Sequence, residues 1–258
     1  MPITRRQTLG LGLSTLAALG VTTIVPRTAF GQQPEGDLYP SDAGDFFIHP
    51  ISHASLVIET PSGVIYVDPV GGAELYSDLP PPDLILITHE HGDHFDLPTL
   101  EALVVDGTEI IANPAVHAML PEALASNARE MANGDSDSFG DIEIEAIPAY
   151  NTTEDRLQYH PQGRDNGYIL TIGGKRVYIA GDTEDIPEMR ALEDISVAFV
   201  PMNLPFTMTE EQAASGVTAF LPTYVYPYHY QESDIDLFEQ LLMDETGGGT
   251  EVVRGEWY

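Results

Sequence analysis

The sequence predicts an α+β fold in which β-sheets pack on one another and helices cover the outside. Two features carry this prediction. Hairpin signals dominate the first half, where apolar runs are separated by turns such as Pro61-Ser62-Gly63. In the second half, strands alternate with short helices. The mixture favours packed sheets over a simple parallel α/β fold.

The first half is predicted to begin with a flexible lead-in, Gln32–Gly44, which is rich in Pro, Gly and Asp. Asp96 is suited to cap a helix over Leu97–Val104, and Pro114 opens another helix through Leu120. Apolar runs bounded by turn residues predict the strands Phe46–His49, Ser55–Glu59, Val64–Asp68, Leu84–Thr88 and Ile110–Ala112.

The second half opens with Ile142–Ile147, where apolar and acidic residues alternate as in a half-buried strand. Gly173-Gly174 is a hairpin turn signal. The other predicted strands are Tyr168–Ile172, Lys175–Ala180, Val197–Met202, Tyr224–Tyr228 and a short one at Val252. The predicted helices are Ile186–Leu192, one from the cap Thr209 to about Leu221, and one from the cap Ser233 to Met243.

The net charge of the chain restricts the kinds of molecule that the protein can bind. Acidic residues number 41 against 10 basic ones, for a net charge of −31. Such a surface repels nucleic acid and anionic membranes, so we expect a small-molecule substrate and no nucleic acid. The acidity fits either a saline habitat or simple solubility, and it leaves a homo-oligomer open. The absence of cysteine excludes disulfides, Cys-ligated zinc and a thiol nucleophile.

Residues 1–31 have the organisation of an export signal. Arg5-Arg6 precedes an uncharged run, Leu9–Val25, and Ala29-Phe30-Gly31 supplies a small-x-small cleavage site. The paired arginines resemble the twin-arginine type of signal. We therefore expect export to the periplasm or the exterior, a mature domain over residues 32–258, and no stable membrane span after cleavage. A transmembrane anchor is the alternative, although the run is short and rich in Gly, Ala and Thr.

The most informative stretch is Thr88-His89-Glu90-His91-Gly92-Asp93-His94, directly after the apolar run Leu84–Ile87. A buried strand that ends in such a loop puts imidazoles and a carboxylate around one point. Imidazole and carboxylate suit Zn²⁺ and related divalent ions. The sequence therefore predicts a metal site and, with it, metal-dependent hydrolysis.

Two later residues are candidates for completing this site. Asp182 follows the predicted strand Lys175–Ala180, and His229 follows Tyr224–Tyr228. A carboxylate that bridges two ions, with histidines on either side, makes a dinuclear clamp. We therefore expect Asp182 and His229 to join the His-rich loop.

The chain resembles the metallo-β-lactamase superfamily, and the resemblance covers nearly all of residues 32–258. The family motif His-x-His-x-Asp-His is matched by His89, His91, Asp93 and His94. The other matching segments, in the family's order, are Ser52-His53-Ala54-Ser55, Val67-Asp68-Pro69, Gly181-Asp182-Thr183 and the late His229. The His-Ala-Ser start is similar to the branch that includes the ascorbate-6-phosphate lactonases.

This resemblance implies a four-layer αβ/βα sandwich with the metals on one edge. It implies a hydrolase that uses metal-activated water on a small ester, lactone or phosphoester, with Asp93 and Asp182 as catalytic residues. Asp68 would support the metal loop, and we expect His53 to hydrogen-bond to a ligand or loop. The implied ligands are His89 and His91 for the first ion, Asp93, His94 and His229 for the second, and Asp182 as the bridge.

One departure from the family concerns the third histidine of the first ion. The matching place reads Pro148-Ala149-Tyr150-Asn151, without histidine. Asn151 offers an amide oxygen as a ligand, and His160, nine residues on, is the alternative. An oxygen ligand favours Mn²⁺ or Fe²⁺ over Zn²⁺. We therefore expect one or two divalent ions, zinc or manganese, with iron also open.

A cluster of cations suggests a substrate contact. Arg156 and Arg164 flank His160 in the loop between Asn151 and Asp182. A guanidinium there could hold a substrate carboxylate or phosphate, so the substrate candidates are Arg156, His160 and Arg164. The alternative is that both arginines form local salt bridges.

Two rival functions remain open on the sequence. One is a non-hydrolytic metal-binding protein of the same fold with a degraded first metal site, which Asn151 supports. The other is redox chemistry at iron, which the absence of a flavin-type domain and of cysteine disfavours.

Overall fold

Two seven-stranded β-sheets face each other in the computed structural model, which describes residues 36–258. The predicted export signal, residues 1–31, lies outside the described residues. Within residues 36–258, no helix has the length and apolar character needed to cross a membrane.

The first sheet follows chain order from edge to edge. Its first four strands pair antiparallel, and the remaining ones pair parallel. The strands are β1 (Asp37–Tyr39), β2 (Phe46–Ser52), β3 (Ser55–Thr60), β4 (Gly63–Val67), β5 (Leu84–Ile87), β6 (Glu109–Ala112) and β7 (Ala128–Glu130). The helices are α1 (Leu97–Leu103), α2 (Pro114–His117) and α3 (Glu122–Ala125), and a 3₁₀ turn spans Ala73–Tyr76.

The second sheet repeats this plan, with hairpins first and parallel pairs afterwards. Its strands are β8 (Ser136–Phe139), β9 (Ile142–Ala149), β10 (Asp165–Ile172), β11 (Lys175–Ile179), β12 (Ile195–Pro201), β13 (Tyr224–Tyr228) and β14 (Glu251–Val252). Its helices are α4 (Pro187–Arg190), α5 (Glu210–Phe220) and α6 (Ile235–Thr246). Both halves therefore mix hairpins with βα units, whereas the sequence predicted a division between the halves.

Side chains alternate between the two faces of the central strands, and this alternation creates the layers of the sandwich. In β5, Leu84 and Leu86 join the apolar core between the two sheets, while Ile85 and Ile87 pack under the helices of the first sheet. In β12, Phe199 lies on the inner face and joins the core between the sheets. The residues on the opposite face of β12 belong to a separate core beneath α4 to α6. Because side chains alternate across a strand, a continuous apolar run serves two cores at once. The predicted four-layer αβ/βα sandwich is confirmed.

Several local predictions need correction. β1 lies inside the predicted flexible lead-in, where it pairs with β2. The helix from Pro114 ends at His117, and a separate α3 follows. The cap of α6 is Asp234, whose side chain accepts a hydrogen bond from the Leu237 amide, rather than the neighbouring serine. The Asp96 carboxylate makes no cap hydrogen bond to α1 and accepts one from a threonine hydroxyl instead.

One edge of the sandwich collects the residues that follow β4, β5, β9, β11 and β13. Three non-glycine residues in this region adopt left-handed backbone conformations. They are His53 in the β2–β3 turn (φ 53°), Asp68 after β4 (φ 44°) and His229 after β13 (φ 49°). Such conformations cost of order 1–3 kcal/mol each and cluster at functional sites. The strained backbone at this edge is therefore typical of a functional site.

Candidate metal centre

Six of the eight histidines converge at this edge, together with two aspartates. Their ring nitrogens and carboxylate oxygens form three overlapping groups, each with all atoms within 4.8 Å of one another. The groups are His89–His91–His160, His89–His94–Asp182 and His53–Asp93–His94–His229.

The first group contains three imidazoles. His160 Nε2 lies 3.1 Å from His91 Nδ1 and 3.3 Å from an Asp182 carboxylate oxygen. The His89 ring is fully buried, and its Nδ1 lies 2.9 Å from the Thr88 hydroxyl. Its Nε2 is thereby left to face Asp182 at 3.8 Å.

The structure places Asn151 behind His160 rather than in the group. Asn151 Oδ1 accepts a hydrogen bond from His160 Nδ1 at 2.9 Å, and Asn151 Nδ2 donates to the Phe206 carbonyl at 2.8 Å. The amide oxygen that the sequence offered as a ligand is therefore used to orient an imidazole. A histidine whose second ring nitrogen is held in this way is typical of metal ligands. The third nitrogen of the first group therefore comes from His160.

The second group lies on the other side of Asp182. His229 Nε2 is 3.3 Å from Asp93 Oδ2 and 3.3 Å from Asp182 Oδ2. His94 Nε2 is 3.3 Å from Asp182 Oδ1, while its Nδ1 is 2.8 Å from the buried Asp68 carboxylate. Asp68 therefore supports the metal loop from behind, as the resemblance implied.

Asp182 stands between the two groups. Its Oδ1 faces His94, and its Oδ2 faces His160 and His229. Burial raises the pKa of this carboxyl, but positive charge on His229 and His94 outweighs burial and holds the pKa well below its usual range. Asp182 is therefore ionised, in the form that can bridge two cations.

The donor set fits divalent ions. Three buried atoms that point toward one another make no hydrogen bond within the described part of the chain: His89 Nε2, His94 Nε2 and Asp182 Oδ1. Buried polar atoms without partners are costly and rare. Burial also lowers the pKa of His89 well below its usual value, which favours the neutral imidazole that binds metal. Metal ions between these atoms would satisfy all three.

A buried ion pair fixes the loop that leads to His160. Glu184 is fully buried, and its Oε2 accepts hydrogen bonds from the amides and hydroxyls of Thr152 and Thr153. Its Oε1 lies 3.0 Å from Arg156 Nε, and Arg156 also donates to the Thr207 carbonyl. Sequence reasoning missed Glu184, for which the one available signal was its position two residues after Asp182.

Replacing Glu184 with glutamine is expected to lower the free energy of unfolding by about 3 kcal/mol, because one partner of a buried pair is removed while Arg156 stays charged. Urea unfolding of the metal-free protein measures this change. The control is Glu154→Gln, which alters an exposed acid of the same loop. Equal stability of the two variants would contradict a positioning role for Glu184.

Arg164 is also engaged within the protein. It lies 2.8 Å from Glu90 Oε1 and pairs with both oxygens of the buried Asp165 at 2.6 and 2.9 Å. Both arginines predicted as substrate contacts thus form local ion pairs, as the alternative interpretation held, and His160 belongs to the metal-facing group. The Arg164–Glu90 pair also anchors the loop between His89 and His91.

Comparison with known proteins places the chain among metal-dependent hydrolases. A family model described as a β-lactamase superfamily domain matches residues 48–229. A UPF0173 metal-dependent hydrolase from Pyrococcus abyssi is 29% identical over 212 residues, which cover 76% of this chain and 91% of that protein.

Two solved structures are similar over most of their length. One, from Parabacteroides distasonis and provisionally described as a metal-dependent hydrolase, has a TM-score of 0.79 and 45% identity, and the match covers 86% of this chain and 99% of that one. Igni18, a metallo hydrolase from Ignicoccus hospitalis, has a TM-score of 0.68 and 25% identity, with 81% and 94% covered.

The matched span reaches from β2 to His229 and includes every residue of the three groups. A metallo-β-lactamase fold protein from Bacillus subtilis, YhfI, shares the architecture with a TM-score of 0.64 at 13% identity. The family model matches more than half of the chain, and the fold agrees with it. The chain therefore belongs to the metallo-β-lactamase superfamily.

Proposed function

We propose that this protein is a metal-dependent hydrolase that acts on a small ester, lactone or phosphoester. The observation that carries the proposal is the position of Asp182, an ionised carboxylate within 3.3 Å of imidazoles from both groups. The hydrolase descriptions of the relatives from Pyrococcus and Ignicoccus support the same class of reaction.

The residues that would hold two ions follow from the grouping. The first position would use His89, His91 and His160, the second Asp93, His94 and His229, and Asp182 would join them. When bound, divalent ions at such a site acidify water and polarise the scissile bond. Three imidazoles at the first position favour zinc, because the oxygen ligand that argued for manganese or iron is turned away.

The protein's own contribution is orientation. Asp93 is the more exposed of the two carboxylates, with a side chain 49% accessible, and it faces the open side of the cluster. It is therefore placed to accept a hydrogen bond from the attacking water while it also serves as a ligand of the ion at the second position. Asp182, at 3% accessibility, remains fixed beneath it.

The rim beside His160 is apolar and favours a substrate with an apolar group. The rings of Tyr159 and Phe206 meet edge to face with centroids 5.0 Å apart. Phe206 is 39% exposed, and Leu157 and Leu204 are exposed nearby in the chain. Exposed apolar groups next to a polar cluster are typical of ligand sites. Since Arg156 and Arg164 are paired internally, we propose that this rim, rather than a guanidinium, receives the non-reacting part of the substrate.

The alternative hypothesis, a metal-binding protein without hydrolysis, rested on the absence of a third histidine at the position of Asn151. The His160 imidazole lies with His89 and His91 in the first group, so no observation favours this hypothesis over hydrolysis.

The test is elemental analysis of protein purified without added metal, combined with a panel of lactones, carboxylic esters of increasing acyl length and phosphodiesters. The panel is assayed after chelation and after return of Zn²⁺ or Mn²⁺. We expect about two equivalents of metal, turnover that chelation abolishes and metal restores, and faster turnover of the more apolar substrates. Full metal loading without turnover of any class would overturn the proposal.

A further inference from the structure

His53 lies at the metal-facing cluster although the family motif does not include it. Its Nε2 is 3.2 Å from Asp93 Oδ2, and His229 Nε2 is 3.3 Å from the same oxygen. The rings of His53 and His229 have centroids only 3.9 Å apart. Ligand atoms about 2.1 Å from one ion lie roughly 3.0–3.4 Å from each other at octahedral or tetrahedral angles. The spacing of these atoms therefore fits neighbours around a common ion; without an ion, the His53–Asp93 contact is the hydrogen bond to a ligand that the sequence predicted.

The orientation of His53 matches that of three other histidines in the cluster. In His89, His94 and His160, Nδ1 lies 2.8–2.9 Å from a side-chain oxygen and Nε2 faces the cluster. His53 repeats the pattern, with Nδ1 2.9 Å from the Tyr258 hydroxyl. A ligating histidine almost always uses its other ring nitrogen for such a hydrogen bond, which fixes the tautomer.

The backbone holds His53 in this place. Its amide donates to the Trp257 carbonyl at 3.1 Å, and its carbonyl accepts from the His229 amide at 2.9 Å. Trp257 is buried at 2% exposure, so the segment that carries Tyr258 is anchored. The Tyr258 hydroxyl also accepts a hydrogen bond from the Gln231 amide. The left-handed backbone of His53 is thus maintained by contacts to the candidate ligand loop itself.

We propose that His53 is an additional nitrogen ligand of the second metal position, oriented by Tyr258. The position would then be held by His53, Asp93, His94 and His229, with Asp182 as the shared group. This inference rests on the proposed metal-dependent function and adds a residue that the His-x-His-x-Asp-His motif does not contain. It makes the second position richer in protein ligands than the first, so the second position should fill first.

Proton NMR of the Co²⁺-loaded protein tests the proposal independently of turnover. Each ligating histidine with a protonated second nitrogen gives a strongly shifted, exchangeable N–H signal. We expect His53→Asn to lose one such signal and to bind the first equivalent of Co²⁺ at least about 10-fold more weakly. Asparagine is chosen because it tolerates the left-handed backbone at this position.

Two further variants control the experiment. Tyr258→Phe keeps the aromatic ring and removes the oxygen, so the same N–H signal should shift or exchange faster while the others stay. His117→Asn changes a histidine outside the cluster and should leave the spectrum unaltered. The proposal is overturned if His53→Asn binds Co²⁺ with the full set of signals, or if Tyr258→Phe alters none; in that case turnover of the wild type would still support the hydrolase. Failure of the wild type to bind Co²⁺ would contradict both.

Discussion

Replacing Asp182 with alanine is expected to abolish turnover and to reduce the bound metal from about two equivalents to one or none. Its carboxylate approaches the metal-facing nitrogens of imidazoles from both positions, at 3.3 Å on either side. Its removal also leaves His94 Nε2 and His89 Nε2 without their common anion. We expect turnover to fall by more than about 100-fold, since even the loss of a partner behind a ligand costs 10–100-fold.

Elemental analysis and turnover of the same preparation measure the Asp182 effect. The matched control is Asp155→Ala, which removes an exposed carboxylate from the loop before His160. Circular dichroism establishes that both variants fold. If Asp182→Ala kept full activity and full metal content, the bridging role would be wrong.

The second large effect is expected when His160 is replaced. Its size, compared with the effect of replacing Asn151, shows which of the two residues binds the metal. His160→Ala should weaken metal binding at the first position by more than about 100-fold, because an imidazole is lost from the ligand set. Asn151→Ala should weaken it by only about 10-fold, because the ring remains and only its hydrogen bond is lost. Competition titration with a chromophoric zinc chelator measures both affinities.

Asn151→His provides a sharper contrast. A third histidine at the family's usual place would strengthen zinc binding if that place faced the metal. Here we expect weaker binding, because the amide that orients His160 and bonds to the Phe206 carbonyl is lost. Tighter zinc binding by Asn151→His, or equal effects of His160→Ala and Asn151→Ala, would contradict the assignment of His160.

The parts of the fold that the sequence predicted are those where periodicity and burial coincide. β5 is a four-residue apolar run, and α5 begins with a Thr209–Gln212 capping box; both were predicted with small boundary errors. β7 and β8 were missed because they are short and only partly buried, so they carry no apolar pattern. β1 was missed because its pairing with β2 depends on a distant partner rather than on local residues.

The site likewise contains residues that the sequence could predict and residues that it could not. The loop from His89 to His94 could be predicted because its members are contiguous, and Asp182 and His229 because each follows a buried strand. The choice between Asn151 and His160 depends on how the chain between these two residues folds back. That fold depends on Glu184, and no local pattern encodes the contact. The His53–Tyr258 pair spans 205 residues of sequence, which spacing cannot reveal.

Anomalous X-ray diffraction at the zinc absorption edge, on crystals of zinc-loaded protein, tests whether Asp182 joins two metal positions. We expect two peaks about 3.5–4 Å apart, with Asp182 between them. One peak should lie about 2.0–2.1 Å from nitrogens of His89, His91 and His160. A first-position peak bound by Asn151 with His160 turned away, or the absence of any peak beside Asp182, would contradict this expectation.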